Sequence, residues 1–256
     1  MNVFNQIARP ENGHAWVTGA SAGIGRAVTL LLVDRGWTVH ATARDPDALA
    51  ALAHERPGRI IPCPGDVTDA EAMARIVAEI EAQAPLALVL LNAGIYLPMR
   101  AQEFDARKAA KTFEVNLTGV ANGLDPVLKA MIARGKGHVA VTASVAGFGG
   151  LPRAAAYSAS KAGLIAMAQS LALDLMDLGV RISVVNPGFV ETEATGVNDF
   201  EMPFMMSPDE AARHIVEGLE RPGFEITFPR RFALFLRALN LLPNQLLFRA
   251  WRRMTR

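Results

Sequence analysis

Ser144, Tyr157 and Lys161 have the types and the spacing to move a proton: the tyrosine lies thirteen positions after the serine and four before the lysine. Residues four apart share one face of an α-helix, one turn above the other. Tyr157 and Lys161 can therefore aim at the same small volume. A free phenol ionises near about pH 10 and is a poor proton shuttle at neutrality. A nearby ammonium favours the phenolate and lowers that value, and a shift of about 3 units corresponds to roughly 4 kcal/mol. A tyrosine tuned in this way gives a proton to a carbonyl oxygen or takes one from an alcohol, and a serine hydroxyl beside it can hold the same oxygen. A packed ring beside a solvated amine has the same spacing, so the pair gains meaning only from the rest of the chain.

Near the N-terminus an apolar strand, His14 to Thr18, runs into Gly19-Ala20-Ser21-Ala22-Gly23-Ile24-Gly25 and then into an apolar helix. Glycine permits the sharp turn and the close approach of a phosphate to the backbone. The helix N-terminus offers free N–H groups and a positive dipole end to a pyrophosphate. The spacing is G-x-x-x-G-x-G, different from the usual dinucleotide fingerprint. A second strand ends at Ala43-Arg44, with Asp45 just beyond. A basic residue at that strand end accommodates the 2′-phosphate of NADP, whereas an acidic one binds the 2′-hydroxyl of NAD. Arg44 is read as the 2′-phosphate contact, and NADP(H) is expected over NAD(H). Asp45 is the rival, since a small backbone shift would turn it toward the ribose.

Together these residues resemble the short-chain dehydrogenase/reductase family, in its single-domain form of about 250 residues. The likeness runs from about Gly13 to Thr192 through Thr18-Gly19-Ala20-Ser21-Ala22-Gly23-Ile24-Gly25, Gly65-Asp66-Val67, Asn92-Ala93-Gly94, Asn116, Ser144, Tyr157 with Lys161, and Pro187-Gly188 with Thr192. The resemblance implies a catalytic tetrad of Asn116, Ser144, Tyr157 and Lys161. It implies that Gly19, Ser21, Gly23, Ile24 and Gly25 wrap the pyrophosphate and that Asp66 and Val67 meet the adenine. Asn92, Ala93 and Gly94 would floor the cofactor site, and Pro187, Gly188, Val190 and Thr192 would hold the nicotinamide end. Lys161 would also hold the nicotinamide ribose, and Asn116 would orient a water linking Lys161 to solvent. Many NADP users of the family carry a basic residue where Ala22 stands, which leaves Arg44 as the main reader of the 2′-phosphate. A homodimer or homotetramer formed through long helices is implied as well.

The elements that must position these residues alternate along the chain. Helices are expected over 23–35, 46–54, 69–83, 104–134 (as two, or as one bent), 155–178 and 208–219. Strands are expected over 14–18, 37–43, 59–63, 86–91, 138–143, 180–186 and 224–228. The expected fold is α/β: a Rossmann-type, doubly wound parallel sheet between two helix layers. The strands read as continuous apolar runs, as parallel strands buried on both faces do. Asn92, Ser144 and Pro187 each follow such a run and converge on the carboxyl edge of the sheet.

Composition narrows the classes. With 256 residues, 51% hydrophobic and a formal net charge of +1, one catalytic domain is expected over 1–229. The single Cys63 rules out an internal disulfide, and its expected role is buried packing. With no secretory leader, a cytoplasmic location is expected. The five histidines show no metal-ligand spacing, so no metal is expected. No nucleic-acid motif and no apolar run long enough for a bilayer is present.

The expected reaction is hydride transfer between a nicotinamide and a substrate carbon, with Ser144 and Tyr157 stabilising the oxygen and Tyr157 delivering the proton. Two other readings remain open: a cofactor-binding sensor or scaffold without catalysis, and an epimerase or dehydratase that uses its cofactor transiently. The substrate-side residues are Ser144, Tyr157 and Phe189. The walls are Ile95 to Leu97, Phe148 to Leu151, and a lid of about 189–206 carrying Phe200, Met202, Phe204, Met205 and Met206. Adaptable methionines suit a lipophilic carbonyl compound or secondary alcohol, unless these residues pack on the protein's own body.

Residues 230–256 form a basic helical extension with seven arginines and no acid, leaving 19 basic against 25 acidic residues and a net charge of −6 elsewhere. Three fates stand open for it: packing on the core or a sister subunit, peripheral contact with a membrane, or binding another acidic partner.

Overall fold

The computed structural model describes residues 6–192, 202 and 204–254. Among these, seven strands form one parallel sheet: β1 His14–Thr18, β2 Val39–Thr42, β3 Ile60–Pro62, β4 Leu86–Leu91, β5 Gly137–Thr142, β6 Val180–Pro187 and β7 Glu225–Phe228. Their spatial order is β3-β2-β1-β4-β5-β6-β7. The order reverses between β1 and β4, so a crevice opens at the carboxyl ends of those two strands.

Helices α1 Gly23–Asp34 and α2 Pro46–Glu55 cover one face of the sheet, and α3 Ala70–Gln83 the other. The chain continues through α4 Ala106–Phe113, α5 Gly119–Arg134 and α6 Ala155–Leu175, of which α5 and α6 join α3; α7 Pro208–Leu219 joins α1 and α2. Every residue of β4 and of β6 is buried, as the continuous apolar runs require. Alternation along β1 sends Ala15 and Val17 to one layer and Trp16 to the other. The Trp16 indole donates to Thr42 Oγ1 at 2.8 Å, which satisfies its one polar atom inside the core. The start of α7 is a capping box, in which Ser207 Oγ accepts from the Glu210 N–H and the Glu210 carboxylate accepts from the Ser207 N–H.

Several boundaries differ from expectation. The helical span expected over 104–134 is α4, one π-helical turn at Glu114–Thr118, and α5. Strands 37–43 and 59–63 shorten to β2 and β3, and helix 155–178 ends at Leu175. The histidines that look scattered in sequence are partly gathered in space. His14 Nδ1 and His40 Nε2 lie 3.0 Å apart, and His40 Nδ1 lies 3.6 Å from Cys63 Sγ. Burial, helped by His14, holds His40 down at about 4, and burial pushes the Cys63 thiol up to about 11. Such a thiol is protonated at neutral pH and unreactive.

After β7 come α8 Arg230–Asn240 and α9 Asn244–Met254. Phe232, Ala233 and Leu236 of α8 are buried with Val145, and Phe148, Phe189 and Trp251 pack on that cluster. Arg237 pairs with Glu225, and its guanidinium lies 4.4 Å from the centre of the Phe148 ring. The inner face of α8 therefore packs on the chain's own core. Helix α9 has no buried residue. No helix among the described residues is long and apolar enough to cross a membrane.

Candidate active site

The glycine turn is built by close approach. Gly19 and Gly23 have φ of +67° and +52°, in the left-handed region that favours glycine. A Cβ on Gly25 would lie 2.0 Å from the Gly19 carbonyl oxygen and 2.7 Å from Asn92 Nδ2. Gly25 is thus buried beneath the turn and locks α1 against it, whereas Gly19, Ser21, Ala22, Gly23 and Ile24 line the cleft above. Ala22, at the N-cap of α1, has no side chain that can cap. The first N–H groups of the helix are left for whatever enters the cleft.

The strand β1 also sets the floor. Thr18 Oγ1 accepts from the N–H groups of Asn92 and Ala93 at 3.0 and 3.2 Å. This ties the segment after β4 to the end of β1, with Asn92, Ala93 and Gly94 along the cleft. Thr18 was not singled out from sequence. Its signal was available, since a hydroxyl residue ending a buried strand beside a glycine turn needs a partner.

At the far end, Arg44 is exposed and lines the cleft with Asp66 and Val67. Asp45 is committed elsewhere: its carboxylate caps α2, accepting from the N–H groups of Asp47 and Ala48 at 3.0 and 3.1 Å. Asp66 accepts from the Thr68 N–H at 2.9 Å and the Thr68 hydroxyl at 2.8 Å. The Thr68 N–H is the main cause of an Asp66 carboxyl held below its ordinary value, with Arg44 and Lys111 as minor contributors. Asn122 Nδ2 donates to the Val67 carbonyl at 2.9 Å and steadies this corner.

On the other side of the cleft lie Ser144, Tyr157 and Lys161, together with Pro187, Gly188, Val190 and Thr192. Ser144 follows β5; its Oγ donates to the Pro187 carbonyl at 3.3 Å and accepts from the Ala146 N–H at 3.1 Å. Its hydroxyl partly offsets the effect of burial on the Tyr157 phenol. The Tyr96 ring meets the Tyr157 ring edge-on, with centroids 5.0 Å apart. Lys161 is buried, and its Nζ donates to the Thr142 carbonyl at 2.8 Å.

The expectation that the lysine lowers the tyrosine's pKa is not met in this arrangement. Burial pushes the Tyr157 phenol up, with only partial relief from Ser144. Lys161 is itself brought down to about 8 by burial. Its Nζ lies 5.6 Å from the centre of the Tyr157 ring and is turned toward the main chain of β5. Desolvation therefore outweighs the pairing that helical spacing alone implied.

Asn116 does not line the cleft. It sits on the π-helical turn, fully buried. Its Oδ1 accepts from the Ile95 N–H at 2.7 Å, and its Nδ2 donates to the Ile95 carbonyl at 2.9 Å and to Ser160 Oγ at 3.2 Å. It lies behind Gly94, where a Cβ would come 3.3 Å from Asn116 Oδ1 and 3.5 Å from Lys161 Nζ. The π turn re-aims a side chain that regular α-helix would place elsewhere.

Phe189, expected on the substrate side, instead packs against Phe232 of α8, with ring centroids 5.7 Å apart. The two ends of the lid segment pair through Glu191 N–H to Met206 O at 2.9 Å and Met206 N–H to Phe189 O at 3.1 Å. Phe200 and the rest of 193–201, with 203, lie outside the described residues. Met206 packs on the core, while Phe204 and Met205 are exposed. Among the described residues no group of three or more His, Cys, Asp and Glu could hold a metal.

The cleft measures about 470 Å³. Residues 13–201 match the sequence profile of the family described as short chain dehydrogenase. The chain belongs to the short-chain dehydrogenase/reductase family.

This short-chain dehydrogenase is 39% identical over 244 residues to an uncharacterized oxidoreductase of Myxococcus xanthus, covering 94% of this chain and 96% of that protein. It is 34% identical over 188 residues to a 3-oxoacyl-[acyl-carrier-protein] reductase of Thermotoga maritima, covering 70% and 74%. A crystal structure of a short chain dehydrogenase from Burkholderia cenocepacia in complex with NADP superposes with a TM-score of 0.81 at 25% identity, covering 98% of this chain and 99% of that one. The chain is thus an oxidoreductase with the three-layer fold of its family. The family implies a nicotinamide dinucleotide, and the residues present fit one: the crevice holds a glycine turn that any Cβ at Gly25 would block, an uncapped helix N-terminus and a cationic far end.

Proposed function

We propose that this chain is an NADP(H)-dependent oxidoreductase that interconverts a carbonyl and a secondary alcohol, with Tyr157 as the acid/base. The observation that carries the reading is the meeting of Ser144, Tyr157 and Lys161 on one side of a cleft whose far end holds Arg44. The bound dinucleotide supplies or accepts the hydride. Gly19, Ser21, Gly23 and Ile24 hold its pyrophosphate, Asp66 and Val67 its adenine, and Asn92 to Gly94 its floor. Pro187, Gly188, Val190 and Thr192 position its reactive ring. Ser144 and Tyr157 hydrogen-bond the substrate oxygen, and Tyr157 gives or takes its proton. Lys161 would hold the nicotinamide ribose. Asn116 holds the Ile95 backbone and would orient a water that links Lys161 to solvent.

The preference for NADP(H) rests on a free cation beside an occupied anion. Arg44 lines the cleft, while the Asp45 carboxylate is engaged in capping α2. A lipophilic substrate is favoured by Ile95 and Tyr96, which line the cleft beside Tyr157. Self-association is favoured by Phe104, Phe113, Leu173 and Met176, all large apolar side chains left exposed.

A panel of lipophilic and of small polar carbonyl compounds and alcohols, run with NADPH and with NADH, tests the proposal through the absorbance of reduced nicotinamide. Net NADPH consumption on lipophilic ketones or aldehydes is expected. Turnover without net consumption, or activity confined to small polar compounds, would reject it.

A further inference from the structure

The outer surface of the C-terminal helices is apolar and cationic at once. Helix α8 buries Phe232, Ala233, Leu236 and Leu239 inward. On its opposite side Leu234 and Phe235 are 65% and 48% exposed. The link to α9 adds Leu241 at 87%, and α9 adds Leu246 at 48% and Phe248 at 64%. A helix at the surface of a globular protein ordinarily turns its outer face polar. Large apolar side chains left exposed within this short stretch, Leu242 among them, mark a surface built to be covered.

Charge says by what. Arg230, Arg231, Arg249, Arg252 and Arg253 are exposed on the same two helices, and none has an ion pair among the described residues. No acidic residue occurs from 230 onward, while the rest of the chain, with 19 basic and 25 acidic residues, carries −6. An anionic surface therefore opposes the net charge of the body and attracts this face, which orients the molecule as it binds. A second copy packed face to face would bring the same uncompensated arginines against these, a like-charge contact that costs affinity.

We propose that the exposed faces of α8 and α9 dock this protein on an anionic phospholipid surface, with the apolar side chains at the acyl boundary and the arginines among the headgroups. The site is separate from the cleft, and the proposal does not depend on the substrate or cofactor reading. The inner face of α8 touches the catalytic side through Val145, the residue after Ser144, and through Phe189.

The test is co-sedimentation of the full chain with vesicles of phosphatidylcholine alone and of phosphatidylcholine with about one third phosphatidylglycerol, at low and high salt. Two variants accompany it: one joins R249Q, R252Q and R253Q, the other L234S, F235S and F248S. All six positions are exposed, and unchanged thermal unfolding checks that both variants fold. Binding is expected only to the anionic vesicles, falling at least about tenfold in each variant and in high salt. Equal binding to both vesicle types, or none to the anionic ones, overturns the proposal. So does a serine variant whose oligomer dissociates while the parent ignores lipid, since the covering partner is then a second copy.

Discussion

Lys161 Nζ donates a hydrogen bond to the main-chain carbonyl of Thr142 at 2.8 Å, at the carboxyl end of β5. The bond anchors a buried ammonium to the rim of the sheet, two residues before Ser144. It offsets only part of the burial, so the lysine is brought down to about 8 from an ordinary 10.5. Between those values the unfolded chain binds more protons than the folded one, and this group's contribution to stability rises with pH. From pH 8 to pH 10 the parent should gain about 2 kcal/mol relative to Lys161→Met. Urea unfolding of both proteins at the two pH values measures this, and parallel curves would exclude a depressed lysine.

Tyr157→Phe removes the phenol that lines the cleft together with Ser144 and Lys161. Turnover should fall by at least about 10²-fold, the loss expected for a positioned acid/base. NADPH binding, followed by fluorescence titration, should change little. Near-normal turnover would remove Tyr157 from the proton-transfer role.

Arg44→Ser deletes an exposed cation of the cleft's far end and leaves the Asp45 cap in place. A charge-assisted hydrogen bond of about 1.5–3 kcal/mol corresponds to a loss of about 10-fold to 100-fold in kcat/KM with NADPH. Kinetics with NADH should be nearly unaffected. Equal losses with both cofactors would mean that Arg44 does not read the 2′-phosphate.

Gly25→Ala places a methyl group 2.0 Å from the Gly19 carbonyl oxygen. The turn and α1 must separate, at a cost of about 1–3 kcal/mol. Cofactor affinity should drop together with the unfolding temperature. Retention of both would show that the cradle yields more easily than its packing implies.

His40 is fully buried between His14 and Cys63 and is held at about 4 against an ordinary 6.5. A histidine depressed in this way is neutral when folded, so stability is lost as pH falls below the unfolded value. By pH 5 the loss from this group should reach about 2 kcal/mol relative to pH 7. His40→Gln should flatten that acid limb in urea titrations, and an unchanged slope would locate the acid sensitivity elsewhere.

Much of this was legible before folding because local physics wrote it. The Gly19 to Gly25 run after an apolar strand, the Ser207 cap of α7 and the alternation of buried strands with amphipathic helices each depend on a few neighbouring residues. The motifs from Thr18 to Thr192 sufficed to name the family, since their order reflects the order of strand ends in one sheet. Distances across the sheet had no such local signature. Asp45 and Arg44 are adjacent in sequence, and only the start of α2 decided which of them faces the cleft. Asn116 was foreseen, but its burial behind Gly94 came from a π turn that no periodicity marks. His14, His40 and Cys63 come from three strands, so their contact could not be read from spacing. Phe189 was drawn from the cleft by α8, an element more than forty residues later in the chain. The residue types and their order thus named the chemistry through short-range geometry, whereas desolvation and competing partners, which exist only once distant segments pack, decided how Tyr157, Lys161 and Phe189 are placed and charged.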